Sequence, residues 1–562
     1  MKENTLDKAM RDKKKFFLFF LLILTLLSVL MTCYYLPLPY GHDITFHIKR
    51  LDVLMESLRN HTFPIYMDNE VASGYGYPIK FFYSDFLLLP SALIGLFSDA
   101  LSAYIILIFI LTILCGIFTY HAVNIVYKNT YVAALGAILY TFSPYRLLDI
   151  YQRAALGETM SFTFLPLVLL GFYYIMNKDY NKWYIFAIGL SLIIFSHVVS
   201  TVLTLLTLVI ICIFCYKKLI EDPKRLLYLA IAGVAAFFIT AYYLFPLIEQ
   251  YLTNEFYSKN DVFYKMGLDN VRLSSEDLIK GTFNIFPSIN DPFLPRIGIL
   301  FPICIFLRLL LLKSKRTDLM KITDMGVLVS CIYILLVRFL LPWTIPPFSS
   351  LTFIVFQWRL FEFCTFFFAI AIGYYLFLLI KSEKFKLISL FIVTLYICLY
   401  IFAESANTKA IHGGFDKENN SKNFSSMFND NWSAEYVPRK VPSIAYIKQR
   451  GDSVKTQNSN TIISDFNKKD GITVFHIETN VAEKVELPLF YYKGYNAQID
   501  NKDIPVKESE NGLVEISPEK SGNIRVHYTG TFIQKISLPI SLIAILVLCV
   551  YIYIFHRKKT RQ

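Results

Sequence analysis

Charge is scarce in this chain, and long polar segments are scarcer. Only 17% of its 562 residues are charged, while 55% are hydrophobic and 16% aromatic, so most of it cannot present the polar surface of soluble domains. Cysteine is missing where a disulfide framework would need it. All nine cysteines, from Cys33 to Cys549, lie within apolar segments or at their edges, and the one long hydrophilic stretch, 404–535, has none. That stretch must fold without disulfides, which suits a bacterial surface protein better than a disulfide-rich animal ectodomain. Cys212 and Cys215 have CxxC spacing but no second pair nearby, and they read as small apolar residues of a hydrophobic helix. Zinc-ligand spacings, a Walker loop and a GxSxG elbow are also absent. Nucleotide-sugar or ATP chemistry in the cytoplasm therefore has no visible site, and no metal ligand is assigned. No internal repeat of the kind many transporters show is seen.

What is present is a series of long apolar runs, from Phe16 to Tyr400 with one more near the end. A bilayer crossing takes about 20 apolar residues, so these runs predict membrane spans. The first, Phe16 to Leu36, is too long for a signal-peptide core and lacks a small-residue cleavage site, so it is kept in the mature protein. Spans are expected near 16–36, 103–125, 131–148, 158–176, 183–216, 226–249, 297–312, 322–341, 351–380, 387–403 and 536–555. The run 183–216 is long enough to be two helices turning near His197, and 86–98 is short for a crossing. The expected fold class is thus an α-helical polytopic membrane protein of about twelve helices. The net charge of +12 gathers in short clusters between runs: Lys13–Lys15, Lys217–Arg225, Lys313–Arg316, Lys381–Lys386 and Arg557–Lys559. That is the positive-inside pattern rather than a nucleic-acid surface, and it puts those loops and both termini in the cytoplasm.

Three divisions follow: a transmembrane module 1–403 with a first extracytoplasmic loop 37–85, an extracytoplasmic segment 404–535, and a last helix with a basic tail, 536–562. Another outside loop, about 250–296, carries turn signals near Asn290–Pro295. Within 404–535, Asn407–Asn431 reads as a loose linker. Ile472, Val474 and Ile477, then Val485–Leu487, then the alternating Ile524, Val526 and Tyr528 read as short strands of a small β-rich, sandwich-like domain.

Three segments could carry chemistry. After the first span, Gly41-His42-Asp43 leads into a stretch where a helix would place Asp43, His47 and Arg50 on one face and Ile44, Ile48, Leu51 and Met55 on the other. The spacing equally describes an interfacial helix whose polar face simply meets water. Next, Gly74-Tyr75-Gly76-Tyr77-Pro78 and Phe82-Tyr83 put aromatic faces among tight turns; Tyr77 and Tyr83 would suit a sugar or an aromatic belt. Third, Arg146, Asp149, Arg153 and Glu158 lie between two apolar runs, where charge is costly unless it sits at a helix end or in a wet cavity. Arg153 and Glu158 are five apart, a poor helical pair, and Gly157 allows a break between them. Elsewhere His197 stands alone in an apolar run, where a hydrogen-bonded packing residue is the commoner outcome, and Arg359 could meet a lipid phosphate or pair with Glu362.

Taken in order, His42-Asp43, Phe46-His47, Arg50, the Gly74–Pro78 and Phe82-Tyr83 motif, Arg153–Glu158, Gln357-Trp358-Arg359, Glu435-Tyr436-Val437-Pro438, Leu487-Pro488 and Tyr491–Tyr495 resemble the bacterial YfhO-type and 6-pyruvoyl-tetrahydropterin-synthase-related membrane proteins, placed among GT-C glycosyltransferases. The resemblance runs over nearly the whole chain. It implies a GT-C-like bundle and a membrane enzyme that moves a sugar from a polyprenyl-phosphate donor to an extracytoplasmic cell-envelope acceptor, such as a teichoic acid or surface polysaccharide. It implies that Asp43 activates the acceptor or helps hold a divalent cation, the one cofactor it suggests. Many GT-C patterns pair that aspartate with a second acid, and here Asp52 lies too far along to serve. Arg153, Arg359 and His47 would supply positive charge, with His42, Arg50, Tyr77, Tyr83, Glu158 and His197 as further substrate-binding residues. The rival readings are a lipid or polysaccharide transporter and a non-catalytic scaffold for envelope assembly.

Overall fold

The structure, a computed structural model, describes residues 12–35, 41–257, 273–291, 293–340, 346, 354–412 and 435–561. Among them seven helices are long and apolar enough to cross a membrane, eight if a bent pair counts as one span. They are α1 (Lys13–Tyr35), α3 (Ala100–Tyr127), α5 (Leu156–Met176), α10 (Asp318–Leu335), α11 (Phe361–Leu379), α12 (Glu383–His412) and α13 (Phe532–Arg561), with the bent pair α8 (Lys224–Ile239) and α9 (Ala241–Thr253). Shorter apolar helices fill the gaps: α4 (Thr130–Thr141), α6 (Trp183–Ser196), α7 (Val198–Phe214) and Leu300–Leu310. The chain is a polytopic helical membrane protein with a β-rich unit near its C-terminus. The expected dozen crossings resolve into seven or eight of full length plus these shorter pieces.

Where runs break, a specific atom intervenes. The run 183–216 does turn at His197, whose extended backbone separates α6 from α7 and whose Nδ1 accepts the Ser200 N–H at 3.3 Å, capping α7. The run 226–249, expected as one span, bends by 80° at Thr240. There the Tyr242 N–H donates to Ser541 Oγ of α13 at 2.7 Å instead of continuing the helical ladder. The run 131–148 stops at Thr141. Pro144, lacking an N–H, opens a short turn, followed by a π-turn at Asp149–Arg153 that ends on Ala154 in the left-handed region (φ 52°). The break lies at Ala154 rather than at Gly157. Close packing between α5 and α6 rests on Gly171, where a Cβ would come within 2.2 Å of the Phe186 nitrogen.

The segment 41–99 begins with the amphipathic α2 (Ile44–Arg59), whose Ile44, Ile48, Leu51 and Met55 are buried. Its other side is not simply wet: His47 and Lys49 are buried too, His47 beside Arg50 and Lys49 against Asp68 and Glu70 of the same loop. That unit has nine short strands, β1 (Lys455–Thr456), β2 (Ile462–Lys469), β3 (Ile472–Glu478), β4 (Val485–Phe490), β5 (Tyr495–Ile499), β6 (Lys502–Ile504), β7 (Val506–Glu508), β8 (Leu513–Ile516) and β9 (Gly522–Tyr528). They form a four-stranded sheet, β1-β4-β8-β7, and a five-stranded sheet, β2-β3-β9-β5-β6. The sheets enclose Phe475, Ile477, Leu487, Ile499, Val514 and Val526. The strand expected from Ile472, Val474 and Ile477 is β3, whose inward positions are Thr473, Phe475 and Ile477, while Val474 faces out.

The helix α12 runs on to His412, past the point where the linker is expected to begin, and the rest of that linker (413–434) lies outside the described residues. Tyr75, Phe81 and Phe82 of the loop share a core with Phe256, Val437, Phe490 and Tyr492. Arg450 fastens the arrangement by donating to the Tyr75 hydroxyl and to Glu486 Oε1, both at 3.0 Å.

Candidate functional site

Helix N-termini converge where the loop meets the helical body. Asp43 occupies the N-cap position of α2, Glu158 the first turn of α5, Ser200 that of α7 and Glu362 that of α11. Each N-terminus carries partial positive charge and unpaired N–H groups, so their convergence favours an anion. Gly41 makes the junction possible: a Cβ there would fall 2.3 Å from the Ala154 Cβ, and its φ is 150°. The Asp43 N–H donates to the Arg153 carbonyl at 3.1 Å. That bond ties the loop aspartate to the π-turn.

At the centre is Glu158. Its Oε2 accepts from Arg153 Nη1 at 2.6 Å, its Oε1 accepts from the Tyr145 hydroxyl at 3.2 Å, and Arg359 Nε stands 3.5 Å from Oε1. Arg153 Nη1 also binds Asp149 Oδ1 at 2.5 Å. Both guanidiniums lie over one ring, Phe356, at 5.5 Å for Arg153 and 5.1 Å for Arg359. Two arginines distant in sequence thus meet around one carboxylate. Arg359 does not pair with Glu362, whose oxygens accept instead from Ser161 Oγ (2.7 Å) and Ser200 Oγ (3.1 Å).

Several donors here are unspent. Among the described residues, Arg359 Nε, Trp358 Nε1 and Gln357 Nε2 are buried with no hydrogen-bond partner, and so are Gln357 Oε1 and Asp149 Oδ2. A buried unsatisfied donor costs about 1–3 kcal/mol; Gln357 Nε2 and Trp358 Nε1 are such donors side by side, while Arg359 Nε keeps its ion-pair contact with Glu158. Asp43 itself is exposed and makes no capping bond with its side chain. Its crowded surroundings push its carboxyl above the ordinary range, against the pull of Arg153, His42 and Arg359.

The other residues expected in the site divide by place. His42 stands beside Asp43, its ring 4.6 Å from Phe293. His197, in its capping role, packs against Gly157 next to Glu158, where a Cβ would be 3.1 Å from its ring. A neighbouring ledge holds His47, Arg50 and Tyr83: Arg50 Nη1 is 3.2 Å from His47 Nδ1 and its guanidinium is 5.4 Å from the Tyr83 ring. Tyr77 is not on the surface of the site. It is 2% exposed in the core between loop and β-unit, bridged by backbone bonds to Asp68. Arg146 also lies apart, donating to the Thr141 carbonyl and Thr112 Oγ1.

Sequence reasoning missed Glu435. The ring of its neighbour Tyr436 stacks on Phe82 at 3.7 Å, and its carboxyl, pushed up by burial and by Asp43 and drawn down by Arg359, belongs to the same electrostatic group. Its only local signal is the Glu-Tyr-Val-Pro string, which says nothing of a distant aspartate. Phe356 was missed as well, while Gln357 and Trp358 figured only as part of the Gln357-Trp358-Arg359 string. Among the described residues no three His, Cys, Asp or Glu side chains gather as a metal-ligand set. No step below is routed through a divalent cation.

No protein-family model matches the chain. It is similar to an uncharacterized protein of Lactococcus lactis subsp. cremoris (strain MG1363), with 24% identity over 359 residues. The match covers 60% of this chain and 55% of that protein, so the chain spans little more than half the length of this relative. Among solved structures it is similar to an Archaeoglobus fulgidus oligosaccharyltransferase crystallised with zinc and sulfate, with a TM-score of 0.36 and 15% identity, over 75% of this chain and 59% of that one. A likeness this distant assigns no function.

Proposed function

We propose that this protein is a GT-C-type glycosyltransferase that moves a sugar from a polyprenyl-phosphate donor to a cell-envelope acceptor outside the membrane, with Asp43 as general base. One observation carries the reading: Arg153 and Arg359 converge on Glu158 and Phe356 at a meeting of helix N-termini, beside an uncapped aspartate. The arrangement supports reading it as an anion site with a base next to it. The far ends of α5, α7 and α11, at Met176, Phe214 and Leu379, lead into the basic stretches 178–182, 217–225 and 381–386. By the positive-inside pattern this supports an outward-facing site, with the β-unit outside and both termini cytoplasmic.

The chemistry asks little beyond placement and charge. The donor phosphate lies against the guanidiniums of Arg153 and Arg359 and the unmet N–H of Trp358. Asp43 takes the proton from the acceptor hydroxyl as its oxygen attacks the anomeric carbon. The bond from that carbon to the phosphate oxygen breaks, and polyprenyl phosphate leaves with the electron pair. A single displacement inverts the anomeric centre. Asp43→Asn keeps the size but removes the basicity, so transfer should fall by about 10²–10⁴ while expression and insertion stay normal. The measurement is sugar incorporation into envelope polymer at matched protein levels. Equal incorporation with Asn at this position sinks the proposal.

One observation favours a second reading, a lipid transporter. The helical run 183–216 is broken at His197 and the 131–153 segment at its π-turn, and half-helix ends facing an anion also mark transporter sites. A transporter that moves its cargo intact would tolerate Asp43→Asn.

A further inference from the structure

At the end of the bundle away from Glu158 there is an apolar cleft that the reaction above does not use. Its walls come from α3, α5, α7, α10 and α11, and its volume is about 150 Å³. The helix α5 runs 21 residues from Leu156 to Met176, so at about 1.5 Å per residue its two ends lie about 30 Å apart. Along α5 the lining reaches from Met176 inward to Pro166, about 15 Å. That is the depth of one leaflet, since the hydrocarbon core of a bilayer is about 30 Å thick. Two residues at the outer edge of the cleft, Asn177 and Lys218, are exposed. Arg225 holds that edge in shape, donating to the Met176 carbonyl at 3.0 Å and also to the Lys218 carbonyl.

Inside, the cleft is apolar, with Val123, Leu170, Ile211, Ile322 and Phe366 among its walls. Polar groups there are spent on neighbours: the Tyr127 hydroxyl and Thr323 Oγ1 are 2.8 Å apart, and Asn177 Nδ2 donates to the Tyr173 carbonyl at 2.8 Å. An apolar cavity of this size stays dry and admits an apolar guest of about six carbons. Within a bilayer the guest at hand is a section of an acyl chain. At the edge the chemistry changes. The stretch Tyr216–Arg225 carries the cations Lys217, Lys218, Lys224 and Arg225 against two acids, Glu221 and Asp222. Asp222 is already engaged by the Tyr180 hydroxyl at 2.6 Å and by Lys178 at 3.9 Å. Lys218 makes no ion pair among the described residues, and Asp318, whose carboxylate feels its charge, is held by Lys321 at 2.9 Å. A basic edge over an apolar slot suits a molecule with an anionic head and a hydrocarbon tail.

We infer that this cleft is a lipid site, which takes a section of one acyl chain of an anionic phospholipid and sets the lipid phosphate against Lys218. By the positive-inside pattern that lipid belongs to the cytoplasmic leaflet. The inference stands apart from the transferase reading, because it uses no residue of the Arg153–Glu158–Arg359 site.

The test uses the full-length protein in phosphatidylcholine nanodiscs doped with a trace of photoactivatable lipid. The probe carries a diazirine in its acyl chain and either a phosphatidylglycerol or a phosphatidylcholine head, and cross-linked peptides are read by mass spectrometry. The phosphatidylglycerol probe should label the peptides holding Val126, Met176 and Met325 about fivefold or more above the phosphatidylcholine probe, one cation's share at a membrane surface. Lys218→Gln, a change at an exposed position, should bring the first probe down to the level of the second and leave the second unchanged. Val126→Trp, which fills the cleft from α3, should remove labelling there at an unchanged melting temperature, while labelling of the exposed Leu546 on α13 persists. Labelling spread evenly around the bundle overturns the inference, as does equal labelling of the cleft by both heads in the wild type. Cleft labelling left intact in a folded Val126→Trp protein overturns it too. An unlabelled polyprenyl phosphate that displaces the probe at lower concentration than phosphatidylglycerol does would make the cleft a place for the donor's tail instead.

Discussion

Glu158 holds two guanidiniums in a buried setting, and its replacement should be felt first in stability. Glu158→Ala strips Arg153 and Arg359 of their common partner. Breaking a buried pair from one side costs about 3–5 kcal/mol, so thermal unfolding followed by intrinsic fluorescence should show a large drop, with Glu158→Gln in between. A melting temperature unchanged in the alanine variant would mean that the triad carries no strength. Asp43 makes a different kind of prediction. Its carboxyl sits above the ordinary value of about 3.9, so a base at this position loses activity on acidification at a higher pH than a free aspartate would. Arg153 pulls it down. Arg153→Gln should therefore move the acid limb of the rate profile to still higher pH, as well as weakening donor binding. An acid limb that stays put would show that the titrating group is another one.

At the scale of elements, Gly41 is the hinge on which the site depends. Adding a methyl there drives into Ala154 and strains a backbone angle that L residues rarely adopt. Gly41→Ala should cost about 1–3 kcal/mol by overpacking and detach α2 from the π-turn. The readout is a faster rate of proteolysis within 60–80 than in the wild type, and equal rates would count against a tight junction. Much of this element order could be read from the chain. Apolar length marked the full spans, the lone His197 marked a turn, and alternation marked β9. Turn residues and helical spacing put Asp43, His47 and Arg50 on one helix, but could not show that Lys49 of that helix would be buried against Asp68 and Glu70 of the same loop. Helix breaks were least legible, because they are decided by partners: Ser541 reaching the Tyr242 N–H is invisible to any window around residue 240. The meeting of Asp43 with Glu435 was hidden for the same reason, whereas Arg153 and Arg359, both at expected outer ends of spans, were expected to serve one phosphate, and they meet at Glu158. Local periodicity carries no information about which helix ends become neighbours.

For the whole molecule, orientation is the property on which the proposed reaction stands. Single cysteines at Asn501, on an exposed turn of the β-unit, and at Ser382, in a basic loop, would be labelled in a cysteine-free background by an impermeant thiol reagent in intact cells. Asn501→Cys should react and Ser382→Cys should not; the opposite pattern would place the site on the cytoplasmic side. The bond from Arg450 to Tyr75 has a further consequence for biogenesis, because it joins residues 375 apart. At about 5–20 residues per second, a ribosome needs on the order of tens of seconds to travel from one to the other. Throughout that interval the aromatic rim of the first loop, Phe82 included, waits without the ring of Tyr436 that later stacks on it. A nascent chain in this state is a sticky client. Its rescue depends on how quickly the tail is translated and exported, so slowing translation downstream of α12 should punish this protein more than one whose neighbours in space are neighbours in sequence.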